Sequence, residues 1–513
     1  MDTAQWTLLL GWIFVLIWVP VVILSNRKTH PKALFILFFA EMWERFSYYG
    51  MRALLTLYMV NVLFKGMAGA DTKALSIYGS YTAMAYLFPV IGGLIADRIF
   101  GFKKAIITGG LLMMLGHFSL AIEGSQTLFF FSLALIIVGN GYFKPNISSY
   151  LGTFYEKNDP RKDGAFTIFY MGVNIGAFLS TLTCGYVGQE ISWHYGFGLA
   201  GIGMAIGVIV FILNRKALGD SGMPPVSGKI AGIDATTFAY IGTLLMIPVS
   251  AFLLNASELM SSALLVLSFV VISYLVYEAV RAPDKKEGER LLVVIVLFFF
   301  HAVFWALFEQ TGGSLTLFTE RNVDRTLAGG EVPASLFQSF NPFYIMVFAP
   351  VFSWIWMKLN KSGREPRTPM KFVLGLFQLG LGFLIIVIGA KYFASPTGMV
   401  SMVFIALLYL FHTTGELSLS PVGLSMITKL SPGKIVGFVM GAWFLSISLA
   451  NKMAGFIGTL TTDESGTENL TPVQSLSVYT GTYLTWGVYV VWGAALLLLL
   501  LTPKLNKWMN GIH

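Results

Sequence analysis

Glu41, Glu44, Arg45, Tyr48 and Arg52 crowd into twelve residues of otherwise apolar chain, around the run Glu41-Met-Trp-Glu-Arg-Phe-Ser-Tyr-Tyr-Gly50. On a helix at 100° per residue these five side chains fall within about 100° of one another. Two acids, two bases and a phenol on one stripe can neutralise one another when buried, and can exchange a proton when one partner leaves. A carboxylate stripped of its cation in a low-dielectric site takes up a proton, so protonation can open an ion pair and release whatever that pair held. The alternative is a salt-bridge cluster that only holds helices together, a task that a neutral polar pair performs with a smaller desolvation penalty.

Further charges stand in apolar surroundings. Lys144 lies in Gly139-Asn-Gly-Tyr-Phe-Lys-Pro-Asn146, late in its segment, where snorkelling to the membrane surface is the competing reading. Glu309, in Phe304-Trp-Ala-Leu-Phe-Glu-Gln310, is expected deep within an apolar helix. Glu416 follows His412-Thr-Thr-Gly in another, and Lys452 is a candidate fourth base. The acids Glu41, Glu44, Glu309 and Glu416 thus nearly balance the bases Arg45, Arg52, Lys144 and Lys452. A charge in mid-bilayer costs about 2.5–3.5 kcal/mol even on insertion scales, so such residues are functional candidates. His117, His194 and His301 have no ligand spacing to partners and read as ordinary polar packing. One cysteine, Cys184, excludes a disulfide framework or a Cys-rich metal centre. No phosphate loop, HExxH, nucleophile elbow or dinucleotide fingerprint is present, so neither an enzyme nor an ATP-driven pump is indicated, and no metal or cofactor is expected.

The elements that must carry these residues are membrane helices. The 513 residues are 56% hydrophobic and 12% charged, half the charge of a soluble domain. Spans of about 20 apolar residues are expected at 6–25, 33–63, 74–98, 103–123, 127–150, 164–187, 193–214, 234–255, 259–281, 290–317, 335–359, 369–391, 400–427, 434–461 and 474–503. Fifteen helices follow, and segments alternating as in a membrane barrel are absent. If the loop at 26–32 faces the cytoplasm, twenty-five of the 34 Lys and Arg residues share that side and five face the other. The net charge of +8 is therefore a topology signal and does not point to nucleic acid. The segment 6–25 lacks a basic start and a cleavage site, and reads as a retained helix with its N-terminus outside and the chain's C-terminus cytoplasmic. Pairs of glycines such as Gly109-Gly110 mark close helix packing. Setting aside the first helix and the pair at 234–281 leaves six helices and six more, the plan of a transporter built from two halves.

The run Glu41-x-x-Glu44-Arg45-Phe46-x-Tyr48-Tyr49-Gly50 closely resembles the signature of the proton-dependent oligopeptide transporters, a branch of the major facilitator superfamily. A second signature of that family resembles Phe169-Tyr-Met-Gly-Val-Asn-Ile-Gly-Ala177, and Gly93-x-x-x-Asp97-Arg98-x-x-Gly101-x-Lys103-Lys104 looks like the superfamily's gating loop. The resemblance spans about 33–503. It implies an all-α polytopic membrane protein with the major facilitator superfamily fold, two six-helix bundles at 33–214 and 290–513. The extra N-terminal helix falls in 1–32, and a linker with two inserted helices in 215–289. It also implies a symporter that imports di- and tripeptides with protons across the inner membrane by alternating access, driven by the proton gradient.

By resemblance, Arg45, Tyr48, Tyr49 and Tyr86 contact peptide, Lys144 and Asn174 meet its carboxylate, and Glu416 receives its amino terminus. Asn341 adds a polar contact, while Trp305 and Trp443 wall side-chain pockets. Glu41, Glu44, Arg45 and Glu309 serve proton coupling, and the gating bridges are Arg52 with Glu309 and Lys144 with Glu416. Cations at one end of a cavity and an acid at the other would recognise a short zwitterion without reading its side chains. Two departures stand out: the helix at 6–25 is atypical, and 74–98 lacks the histidine used by animal members, so coupling should rest on carboxylates. Rival readings are transport of nitrate or another small solute, and a non-transporting peptide receptor.

Overall fold

A computed structural model describes residues 3–156, 158–219, 221–224, 228–327, 330–462 and 470–512, with the side chains of 420–422 and 424 left aside. Helices dominate throughout. They are α1 (Thr3–Asn26), α2 (Lys32–Tyr58), α3 (Ala70–Ile95), α4 (Gly101–Leu120), α5 (Gln126–Gly152), α6 (Lys162–Glu190), α7 (Trp193–Leu213), α8 (Ala235–Asn255) and α9 (Ser257–Arg281). The chain continues through α10 (Lys285–Phe308), α11 (Ser314–Asn322), α12 (Phe340–Lys361), α13 (Thr368–Tyr392), α14 (Met402–Leu430), α15 (Val436–Thr459), α16 (Pro472–Thr482) and α17 (Val491–Trp508).

Thirteen helical stretches among the described residues are long and apolar enough to cross a membrane. One of them, Ala70–Leu120, is 51 residues long. At 1.5 Å per residue that is roughly 75 Å, more than twice the hydrocarbon thickness. It divides at a π-helical turn, Ala96–Phe100, into α3 and α4. Gly101 makes this turn with φ +68°, and a Cβ there would meet the backbone of Gly222, Met223 and Pro224 at 2.6 Å. Helix α2, 27 residues long, stands outside the thirteen because of the charges it carries.

Several helices are less continuous than the sequence predicts. The expected span 290–317 is α10, a 3₁₀ turn at Glu309–Gly312, and the separate short α11. Gly312-Gly313 allows the break, and Gly313 takes φ −114°, ψ −107°, a conformation outside the helical basin. The last span is α16 and α17 joined by a π-helical stretch, Tyr483–Val490. Thr471 and Gln474 form a capping box that starts α16. Short two-residue strand pairs close some loops: Lys229–Ile230 antiparallel to Ile233–Asp234, and Val323–Asp324 parallel to Val400–Ser401.

Packing divides the chain into two compact units that interleave along it. The first contains Met1–Leu63, Met84–Ala256 and Arg325–Pro342, and the second Phe64–Ala83, Ser257–Asp324 and Phe343–His513. Chain order alone would place boundaries near 214 and 289. Instead α3 contributes its first half to the second unit and its remainder to the first, and the inserted α8 and α9 join one unit each.

Small residues set the helix spacings inside each unit. In the first, a Cβ on Gly109 of α4 would lie 2.5 Å from the carbonyl oxygen of Gly139 on α5, and one on Gly139 would lie 2.6 Å from that of Gly109. Gly176 of α6 leaves no room for a Cβ against the Met42 carbonyl of α2. In the second unit, Gly79 and Gly455 bring α3 and α15 together, each Cβ position lying within 2.8 Å of the other's Cα. Helix α1 packs on α6: Gly11 faces Leu182, Trp12 Nε1 donates to Thr183 Oγ1 at 3.0 Å and Gln5 Nε2 to Tyr186 Oη at 2.9 Å. Its other face exposes Leu10, Leu16, Ile17 and Leu24.

Candidate functional site

Helix α2 holds the charge stripe by sequence-local means. Glu41 and Arg45 are one turn apart, and Arg45 Nε donates to Glu41 Oε1 at 2.8 Å. The same nitrogen lies 3.1 Å from Glu44 Oε2. All three side chains are buried, Glu44 completely. A single guanidinium thus holds two carboxylates, leaving a net negative triad. That arrangement is stable only while its charge is shared, by a proton or another cation. Tyr48 and Arg52 continue the stripe and are buried too. The Arg52 guanidinium sits 5.9 Å from the ring centre of Tyr49, and the Tyr48 and Tyr49 rings meet edge to face at 5.4 Å. The close approach of Gly176 sets α6 against α2, and Asn174 lies two residues earlier on α6, its amide donating to the Tyr170 carbonyl at 2.9 Å.

Lys144 remains inside α5, which runs through Pro145 to Gly152. Its ammonium lies 3.9 Å over the Tyr86 ring, a cation–π contact in place of a surface-seeking pose. Both residues belong to the first unit, so two of the expected peptide contacts are neighbours.

In the second unit Glu309 is buried, yet its position needs correction. It caps the C-terminal end of α10 and opens the 3₁₀ turn, whereas the apolar run predicts the middle of a helix. The adjacent Gln310 anchors this turn, donating to the carbonyls of Ala306 and Ala454 at 3.0 Å and accepting from Ser314 Oγ at 2.7 Å. Glu416 is buried in α14. Asn341 stands in the first turn of α12, within the portion of chain that packs with the first unit. Lys452, counted above among the balancing bases, donates to two hydroxyls, Ser80 Oγ at 2.7 Å and Ser257 Oγ at 2.6 Å.

Trp305 and Trp443 share one aromatic cluster. Trp305 packs against Phe304 and Phe308 with ring centres 5.6 and 5.0 Å away, and Trp443 against Phe298 at 5.9 Å. Between the two indoles stands His301, which sequence reasoning passed over as packing. Its spacing from Trp305, four residues on one helix, is a legible signal. Its contact with Ser446, 145 residues away, is not. Elsewhere Asp71 and Arg321 form a two-pronged ion pair, Arg321 Nη2 to Asp71 Oδ1 being 2.9 Å. Among the described residues no group of three His, Cys, Asp or Glu side chains is placed to hold a metal ion.

These features define a helical, multi-pass membrane protein whose buried polar groups lie on its helices and form no metal cluster among the described residues. Its sequence matches the description of the POT family over residues 103–474. An uncharacterized transporter of Bacillus subtilis, YclF, is 38% identical over 94% of this chain and 96% of its own length. Dipeptide and tripeptide permease A of Edwardsiella piscicida is 34% identical over 95% and 97%. A crystal structure of a peptide transporter POT variant in complex with alafosfalin has TM-score 0.81 at 38% identity, covering 94% of this chain and 96% of that one. The chain belongs to the POT family, and it is a transporter of the major facilitator type, not an enzyme.

Proposed function

We propose that the protein is a symporter that imports di- and tripeptides together with protons across the inner membrane by alternating access. The observation that carries this reading is the buried Glu41–Arg45–Glu44 triad in a chain of the POT family. Two carboxylates on one guanidinium make a proton-acceptor site, and several relatives carry the name dipeptide and tripeptide permease. In this reading Arg45, Tyr48, Tyr49 and Tyr86 contact the peptide, Lys144 and Asn174 meet its carboxylate, and Glu416 receives its ammonium. Asn341 supplies a further polar contact, and Trp305 and Trp443 wall the side-chain pocket. Glu41, Glu44 and Glu309 carry the proton, and the pairs Arg52 with Glu309 and Lys144 with Glu416 act as alternating gates. The bilayer is the protein's solvent, its C-terminus cytoplasmic and the N-terminus of α1 outside. The proton gradient drives the cycle without a cofactor, adding about 2.3 kcal/mol per charge for each 100 mV of membrane potential.

The test is uptake of labelled dialanine by the purified protein in liposomes, with and without an inward proton gradient. Accumulation that a protonophore abolishes supports symport. Binding without accumulation would make the protein a receptor, and uptake that nitrate competes away would make it a carrier of small anions.

A further inference from the structure

The proposed roles leave out His301, although it touches both tryptophans assigned to the side-chain pocket. Trp305 Nε1–H donates to His301 Nε2 across 2.8 Å. An accepting Nε2 leaves the ring proton on Nδ1, which lies 3.0 Å from Ser446 Oγ. The Ser446 hydroxyl in turn donates to the Trp443 carbonyl at 2.7 Å, so its lone pair is available to the imidazole. The bonds therefore run in one direction: indole N–H to imidazole, imidazole N–H to hydroxyl, hydroxyl to backbone. The Ser446 hydroxyl both accepts and donates, each ring nitrogen has one role, and no proton is left without an acceptor. The face of the imidazole stacks on the Trp443 indole, ring centres 3.6 Å apart and planes 30° apart. His301 is itself 1% exposed, so bulk solvent does not reach either bond.

We propose that His301 is the positioning residue that fixes the orientation of both indoles and thereby sets the size of peptide side chain the pocket admits. It holds Trp305 by its edge through a hydrogen bond and Trp443 by its face through stacking, tying α10 to α15 at the level of the pocket. This inference rests on the reading that Trp305 and Trp443 wall a side-chain pocket. A pocket that discriminates by shape changes its preference when a wall rotates, whereas contacts to the peptide termini do not depend on that wall.

The test compares competition of labelled dialanine uptake by unlabelled dialanine and by phenylalanyl-alanine, in liposomes containing the full chain. His301→Phe keeps the stack on Trp443 and removes both hydrogen bonds. It is expected to change the ratio of the two inhibition constants by about fivefold or more, while the KM for dialanine stays within about twofold. His301→Gln, whose amide keeps an acceptor and a donor group but not the stack on Trp443, should bring the ratio part of the way back toward the parent. Ser446→Ala should move the ratio in the same direction as His301→Phe, and carries the test if the phenylalanine variant does not fold. An unchanged ratio in the variants that fold, or equal weakening of both peptides, overturns the assignment. Trp305→Ala separates the two levels. If it alters the ratio while His301→Phe and Ser446→Ala do not, the role of His301 is wrong; if Trp305→Ala leaves the ratio unchanged, the pocket reading fails and the inference falls with it.

Discussion

Glu44 on α2 and His301 on α10 are both buried polar groups in membrane helices, and their surroundings are built by opposite means. Glu44 belongs to a charged triad made within one turn of one helix, Arg45 reaching Glu41 at 2.8 Å and Glu44 at 3.1 Å. His301 belongs to a neutral chain that crosses from α10 to α15 and ends on a backbone carbonyl. The triad has more acid than base, so its stable state depends on an added proton or an outside cation. The neutral chain from Trp305 through His301 and Ser446 is complete in its hydrogen bonds and needs nothing further. Under the proposed function the two do different work: the triad changes its charge during the cycle, and the His301 chain holds its shape while it does.

The sharpest way to break this contrast is to remove the shared cation. Arg45→Ala leaves two buried carboxylates without their partner, a loss of about 3–5 kcal/mol for a buried pair. Dialanine uptake should fall more than about 100-fold, and the folded protein's melting temperature should drop as well. Replacing a carboxylate is milder. Glu44→Gln and Glu309→Gln should each lose gradient-driven accumulation while retaining peptide counterflow, because the neutral amide mimics the protonated acid. Normal concentrative uptake by both variants would show that coupling lies elsewhere.

Packing supplies an intermediate test. Gly176→Ala drives a methyl group into the Met42 carbonyl, beside the triad, and overpacking of this kind typically costs about 1–3 kcal/mol. The expected result is a lower melting temperature and weakened uptake, whereas the same change at Gly242, which has open space around it, should have little effect on either.

The smallest effect belongs to the loop between α5 and α6. Hydrogen bonds from the Arg161 side chain and backbone hold the Asp159 carboxyl low, at about 2 against its ordinary 3.8. A depressed carboxyl stabilises the fold above its unfolded value, and that contribution disappears as pH falls from about 4 to 2. Its partner Arg161 is half exposed, so solvent screens the pair and Asp159→Asn should shift melting at pH 7 by less than about one degree, with the difference vanishing below about pH 2. Melting curves of the parent and variant across that window would check it. A large shift would give this surface pair the weight assigned above to the buried triad.

The amino-acid sequence by itself determined the membrane class, most of the helices and the α2 stripe. Those rest on local quantities: the length of an apolar run, and the spacing of Glu41, Glu44 and Arg45 within one helical turn. It also marked Gly109 as a packing site, because two adjacent glycines in an apolar run signal close approach. Tertiary structure decided what depends on distant partners. It broke the span after Phe308, where Gln310 bonds to Ala454, and so moved Glu309 from mid-helix to a helix end. It gave Lys452 the hydroxyls of Ser80 and Ser257. It turned His301 from a packing residue into the joint between two indoles. A charge in an apolar helix announces itself because its burial is costly wherever it lies; a neutral donor or acceptor acquires meaning only from the group that folding sets 3 Å away.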